Sequence, residues 1–84
     1  MSEGQPRTDR EIDPDTALGA VITGLREGAG LSQEETAARA GLDPDEVAAI
    51  EAGQMEPTWG DLRRIAYALQ VPLPELLARS ERSE

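Results

Sequence analysis

Apolar residues recur at helical spacing in five segments of the chain, and glycine, proline or short polar stretches separate these segments. The two clearest apolar faces are Leu18, Val21, Ile22 and Leu25 in the first segment, and Leu62, Ile65, Ala66 and Leu69 in the fourth. Smaller sets follow in the others: Ala37 and Ala40 beside Thr36, then Val47 and Ile50, and finally Leu73, Leu76 and Leu77. Positions i, i+3, i+4 and i+7 lie on one side of an α-helix. The pattern therefore predicts five short helices, each burying one face.

Polar residues suited to a helix start precede most of these segments. The predicted starts are Asp13 with Pro14, Ser32 with Glu35, Asp43 with Pro44 and Glu46, Thr58 with Asp61, and Pro74 in the last helix. A Ser, Thr or Asp side chain at the N-cap accepts a hydrogen bond from a free backbone N–H group, and an acid three residues later returns one. Gly28 and Gly30 end the first helix, Gly41 ends the second and Gly53 ends the third. Connections this brief leave no room for a sheet.

The composition also favours an all-α fold. The 84 residues include one Trp, one Tyr and no Phe, so the core has to consist of Leu, Ile, Val and Ala. A chain of this length forms one small domain that buries roughly 60% of its unfolded surface. We predict a domain over residues 13–80, a flexible N-terminal tail over residues 1–12, where little can be buried, and a frayed C-terminus over residues 81–84.

The residue types present exclude several classes of function. The chain has no His, Cys or Lys, so we predict no catalytic residues, no metal site and no cofactor. Asp43, Asp45 and Glu46 lack the spacing of a calcium-binding loop. No apolar run approaches the roughly 18 residues of a membrane span, and no signal-peptide pattern opens the chain. These features predict a soluble cytoplasmic protein that is not an enzyme.

The second and third predicted helices are joined by Ala40 to Asp43, a short connection containing glycine, as a helix-turn-helix needs. The stretch GLSQEETAARAGLDPDEVAAIEAG, residues 30–53, is followed by PTWGDLRRIAYALQVPLPELL, residues 57–77. Together they resemble the lambda-repressor-like (Xre/Cro) helix-turn-helix family, and the resemblance extends back to Leu18. It implies a compact five-helix DNA-binding domain in which the third helix reads the major groove.

The resemblance also implies roles for particular residues. Arg26, late in the first helix, is expected to form a structural ion pair with Glu51 in the third. The residues expected at the DNA surface are Ser32, Gln33, Asp43, Pro44, Asp45, Glu46, Ala48, Ala49, Ala52 and Gln54. A homodimer through the fourth or fifth helix is also consistent with the family. Trp59 is expected to cover the core, Tyr67 to face partly outward, and Leu73 and Leu76 to be core residues, with Leu77 left open.

The charge of the third helix departs from the family pattern. Asp43 to Gln54 contains four carboxylates and no Arg, in a chain of net charge −9. Helix capping alone can explain the acids at its start. Close to DNA, however, they repel phosphates, and Asp45 or Glu46 can accept a hydrogen bond only from a base donor such as cytosine N4. We predict a sequence-specific DNA-binding transcriptional regulator. The alternative is an interaction module whose acidic third helix docks a basic protein partner.

Overall fold

The chain folds into five helices in a computed structural model that describes residues 14–82, with the side chains of residues 17–81. The helices are α1 (Pro14–Gly28), α2 (Gln33–Ala40), α3 (Pro44–Glu51), α4 (Trp59–Leu69) and α5 (Leu73–Arg82). No strand occurs in this range, so the predicted all-α architecture is confirmed. No helix within it combines the length and apolarity that a bilayer span requires.

The predicted N-terminal tail and the predicted start at Asp13 lie outside the described residues. At the other end, α5 continues through Glu81 and Arg82, and residues 83–84 again lie outside the described range.

Side-chain capping fixes where the middle helices begin. At α2, the Ser32 hydroxyl accepts a hydrogen bond from the Glu35 N–H group at 2.9 Å. The Glu35 carboxylate in turn accepts one from the Ser32 N–H group at 2.7 Å. Thr58 and Asp61 make the same reciprocal pair at the start of α4, at 3.0 and 3.1 Å. Because these bonds satisfy backbone donors that the helix itself leaves free, each start is determined locally.

The core lies between all five helices. The side chains most completely removed from solvent are Ile22, Val47, Ile50, Ile65 and Leu76. Helix α1 packs against α3 and α5, α2 packs against α3 and α4, and α4 packs against α5. Each of these aliphatic side chains contributes about 1.5 to 3 kcal/mol through removal from water. Leu73 and Leu77 are only partly buried, at the edge of this core.

The prediction that Trp59 covers the core is wrong. Its residue surface is 66% exposed, and it shares a shallow surface cleft with Leu18 and Leu62. Trp59 is the first residue of α4, and the end of a helix has packing neighbours on only part of its surface. The aliphatic residues close the core without its indole ring. Tyr67, further along α4, is 78% exposed.

Gly19 lets α3 approach the middle of α1 at backbone distance. A Cβ atom placed on Gly19 would lie 2.6 Å from the carbonyl oxygen of Ile50, and still closer to that of Glu51. Glycine inside a helix costs roughly 0.5 to 1 kcal/mol relative to alanine. Glycine is nevertheless required at position 19, because any larger residue would occupy the space of the C-terminal end of α3.

The two glycines inside α1 provide a matched test of this packing. We expect Gly19→Ala to lower the free energy of unfolding by about 3 kcal/mol or more, because the added methyl group meets backbone that cannot rotate away. Gly24→Ala, on the same helix, meets no atom within 4 Å and is expected to raise it by about 0.5 to 1 kcal/mol. Urea denaturation of both variants measures the difference. Similar free energies for the two variants would contradict the close approach of α3.

Candidate nucleic-acid interface

Residues 41–43 turn the chain between α2 and α3. Gly41 adopts the left-handed conformation, with φ 73° and ψ 31°, and its N–H group donates to the Ala37 carbonyl. The Leu42 N–H group donates to the same carbonyl at 2.9 Å. Asp43 is then the N-cap of α3, where its N–H group donates to the Glu46 carboxylate at 3.0 Å. Backbone geometry at Gly41 and capping at Asp43 thus set the angle between the two helices.

Arg26 and Glu51 form the ion pair expected from the resemblance. The Arg26 guanidinium donates from Nε to Glu51 Oε2 at 2.7 Å and from Nη2 to Oε1 at 3.2 Å. Its Nη1 donates to the Leu31 carbonyl at 2.8 Å. The side chains are only 12% and 5% exposed, so neither charge is well solvated by water. The paired geometry and the extra carbonyl offset this loss of hydration. The pair ties α3 to α1 and to the loop that precedes α2.

Gln33 belongs to the same network. Its Nε2 donates to Glu51 Oε1 at 2.9 Å, which places the first residue of α2 beside the last residue of α3. One amide N–H and the amide oxygen of Gln33 are left for other partners, since a glutamine side chain has two donors and one acceptor oxygen. The side chain expected at the DNA surface is therefore held in one orientation by the ion pair.

The network also shifts the proton affinities of both charged groups. Burial by itself would raise the pKa of Glu51, but the hydrogen bonds that Glu51 accepts from Arg26 and Gln33 outweigh this effect and lower it. The positive charge of Arg26 acts in the same direction. The pKa of Arg26 is raised, chiefly by its hydrogen bond to Glu51. Both groups thus favour their charged forms when the chain is folded.

The residues expected to contact DNA lie at the two ends of α3. Because the bond from Gln33 to Glu51 joins the start of α2 to the end of α3, one group consists of Ser32, Gln33, Ala52 and Gln54. The other group, Asp43, Pro44, Asp45 and Glu46, lies at the start of α3, about 12 Å away along an eight-residue helix. Ala48 and Ala49 are half-buried between them. Asp43, Pro44, Asp45 and Ala52 are exposed, and Glu46 is half-buried.

A family model described as a helix-turn-helix domain matches residues 17–79, which include α2, the turn and α3. The chain belongs to this helix-turn-helix domain family. The expected resemblance is thereby confirmed. No match to the chain was found among curated proteins.

Solved structures of regulators have the same helix-turn-helix fold. The restriction-modification controller protein C.AhdI from Aeromonas hydrophila is 31% identical, with a TM-score of 0.72 over 80% of this chain and 97% of that one. The clp gene regulator ClgR from Corynebacterium glutamicum is 24% identical, with a TM-score of 0.79 over 84% and 92% of the two chains. The controller protein C.Esp1396I is 24% identical, with a TM-score of 0.74 over 84% and 95%.

The helix-turn-helix of this chain presents no cation on α3. Among the described side chains, the exposed arginines are Arg39 on α2, Arg63 and Arg64 on α4, and Arg79 on α5. In the structure, Arg39, Arg63 and Arg64 line one cleft. The sequence pattern did not predict this grouping. The adjacent pair Arg63 and Arg64 is visible in the sequence, but its proximity to Arg39 depends on how α4 packs against α2.

Removing the charge of Glu51 should strongly destabilise the fold. We expect Glu51→Gln to lower the free energy of unfolding by about 3 to 5 kcal/mol, because Arg26 keeps its charge without a counterion. Glu75→Gln is the matched control, since Glu75 pairs with Arg79 at 2.8 Å but both side chains are nearly half exposed. That change should cost at most about 0.5 kcal/mol. Urea denaturation at pH 7 compares the two, and equal costs would show that the Arg26 to Glu51 pair is no stronger than a surface pair.

The lowered pKa of Glu51 predicts a loss of stability in acid. A carboxyl whose pKa is lower in the folded state stabilises the fold fully above its ordinary pKa of 4.5, and this contribution disappears as the pH falls through the folded-state pKa. The wild type should therefore lose more stability than Glu51→Gln between pH 6 and pH 3. Urea midpoints measured across this range test the sign. Parallel curves for the two proteins would contradict the shift.

Proposed function

We propose that this protein is a cytoplasmic, sequence-specific DNA-binding transcriptional regulator that reads the major groove with α3. The observation that carries the proposal is the rigid helix-turn-helix unit, in which the network of Arg26, Glu51 and Gln33 holds α2 and α3 at one angle. Such a unit places its second helix in the groove while the first helix crosses the phosphate backbone. The regulators with the same fold, a clp gene regulator and two restriction-modification controllers, support a regulatory role.

The start of α2 offers a way to contact phosphate without an arginine. Ser32 caps the Glu35 N–H group, and the Thr36 N–H group donates to the Ser32 carbonyl, which leaves the N–H groups of Gln33 and Glu34 unbonded within the helix. Backbone N–H groups at a helix N-terminus bind phosphate oxygens. The Gln33 side chain, held beside them by Glu51, adds a further donor.

The acids at the start of α3 weaken this interaction to different degrees. Asp43 is the N-cap of α3, and Glu46 accepts the Asp43 N–H group, so both have a structural role. Asp45 is exposed in the first turn, and its only structural contribution is a favourable charge near the helix N-terminus. Asp45 is therefore the carboxylate whose repulsion of phosphate is least compensated by a role in folding.

Two copies of the chain would read two half-sites. We infer a homodimer joined through α4 or α5, with half-sites about one helical turn, roughly 34 to 36 Å, apart. Duplexes selected from a randomised pool at about 50 mM salt should contain one enriched motif, repeated in inverted orientation. Failure to enrich any sequence would count against DNA recognition, and enrichment of a single unrepeated motif would count against the dimer.

The effect of Asp45 on DNA affinity separates the two candidate functions. We expect Asp45→Asn to tighten binding to the selected duplex about two- to fivefold at low salt, because screening limits the repulsion of one exposed carboxylate. Glu27→Gln removes the same charge from an exposed position on α1, outside the predicted DNA surface and outside α4 and α5, and should leave the affinity nearly unchanged. Fluorescence anisotropy provides the measurement.

The alternative function predicts the opposite result. If α3 docks a basic protein partner, Asp45→Asn weakens an attractive interaction instead of removing a repulsive one. An unchanged duplex affinity for Asp45→Asn would place Asp45 away from the DNA. No duplex binding by the wild type, together with binding of a basic peptide that Asp45→Asn reduces, would support the alternative.

A further inference from the structure

Three arginines surround a cleft between α2 and α4. The cleft has a volume of about 400 Å³, and Arg39, Arg63, Arg64 and the exposed ring of Tyr67 line it. We call this surface the arginine cleft. Arg64 makes one long contact, from Nη1 to the Gly41 carbonyl at 3.5 Å. No carboxylate of the described residues lies within ion-pair distance of Arg39, Arg63 or Arg64, whereas Arg79, the other exposed arginine of this range, pairs with Glu75.

This concentration of charge is unusual for the composition of the chain. The net charge is −9, and α3 carries no cation at all. Three guanidinium groups that line one cleft, without an ion-pair partner among the described residues, repel one another, so their grouping does not stabilise the fold. It creates a local positive field on an acidic protein, and a field of this kind attracts an anionic partner.

The arginine cleft lies on another side of α2 from Gln33, and at its edge Arg64 reaches the Gly41 carbonyl in the turn before α3. Arg39 follows Gln33 by six positions on α2, which places the two side chains roughly 120° apart around the helix and about 9 Å apart along it. The cleft continues into a groove of about 640 Å³ that shares Arg39 and Tyr67 and is lined further by Ala66, Val71 and Pro72. Apolar side chains therefore adjoin the charged ones.

We propose that the arginine cleft and this groove dock an acidic, partly apolar peptide segment of a partner protein. Guanidinium groups bind carboxylates through paired hydrogen bonds, and the exposed tyrosine ring and the apolar groove suit a neighbouring leucine or phenylalanine. A short peptide experiences mainly the local field, since screening removes the attraction or repulsion of charges beyond about 8 Å at physiological salt. An extended nucleic acid would also meet the acidic remainder of the surface. The inference does not rest on the DNA contacts proposed for α3, because it concerns other residues. It requires a homodimer that forms through α5, since a dimer through the α4 surface would cover Arg63, Arg64 and Tyr67.

The test uses defined peptides and the whole chain. The probe is a fluorescein-labelled eight-residue peptide that alternates Asp or Glu with Leu or Phe. The comparison peptide has Asn and Gln in place of the acids. We expect the acidic peptide to bind at 150 mM salt, and the double variant Arg39→Gln, Arg63→Gln to weaken binding about tenfold, the combined effect of two exposed ion pairs.

Arg79→Gln is the matched control, because it removes the same charge from an exposed arginine outside the cleft. It should change peptide affinity less than twofold, and both variants should melt near the wild-type temperature. Duplex binding by the wild-type chain is a separate measurement, so a failure of peptide docking is distinguishable from a failure of DNA binding.

Several results would overturn the proposal: no binding of the acidic peptide, equal binding of the neutral peptide, or equal effects of the double variant and Arg79→Gln. A single-stranded oligonucleotide that binds more tightly than the acidic peptide, and loses affinity in the double variant, would assign the cleft to nucleic acid instead. Chemical-shift changes confined to α3 would place the peptide on the other face, and this too would overturn the proposal.

Discussion

The contact between α1 and the end of α3 determines the geometry of the whole helix-turn-helix. Gly19 lets the backbones approach, and the Arg26 guanidinium then reaches the Glu51 carboxylate with two hydrogen bonds. A pair this poorly solvated is stable only when its other hydrogen-bonding groups are satisfied. The Leu31 carbonyl and the Gln33 amide meet that requirement, and they belong to the loop before α2 and to α2 itself. One ion pair thus connects every element that a DNA-reading unit has to hold in place.

The acidity of α3 follows in part from what this helix needs in order to fold. An eight-residue helix is too short to be stable in isolation, so it depends on its cap and on tertiary packing. Asp43 and Glu46 provide the cap, while Val47 and Ile50 provide the packing. The same carboxylates lie on the surface that would approach phosphate. Local folding therefore sets part of the charge of α3, and under the proposed function recognition would use contacts that need no cation.

Local rules and the family resemblance predicted the five helices, the starts of α2 and α4, and the pairing of Arg26 with Glu51. Features that depend on tertiary packing were not accessible from the sequence. From the sequence, Gly19 is only a residue that destabilises a helix. The structure shows that it makes room for the end of α3. The resemblance predicted that Trp59 covers the core, but its position at the helix end leaves it exposed. The arginine cleft joins residues more than twenty positions apart, and neither helix alone indicates that they meet.

The arginines of the cleft are not on α3, and this affects how the chain would bind DNA. Non-specific affinity for DNA comes almost entirely from contacts between cations and phosphates, and α3 lacks them. A domain of this kind would bind random DNA weakly, so even modest specific affinity gives a useful ratio of specific to non-specific binding. A second contact would raise the affinity, because linking two weak interactions multiplies their effect without new charge on α3. A second copy on an adjacent half-site, or a DNA-bound partner docked in the arginine cleft, would each supply that contact without making α3 less selective.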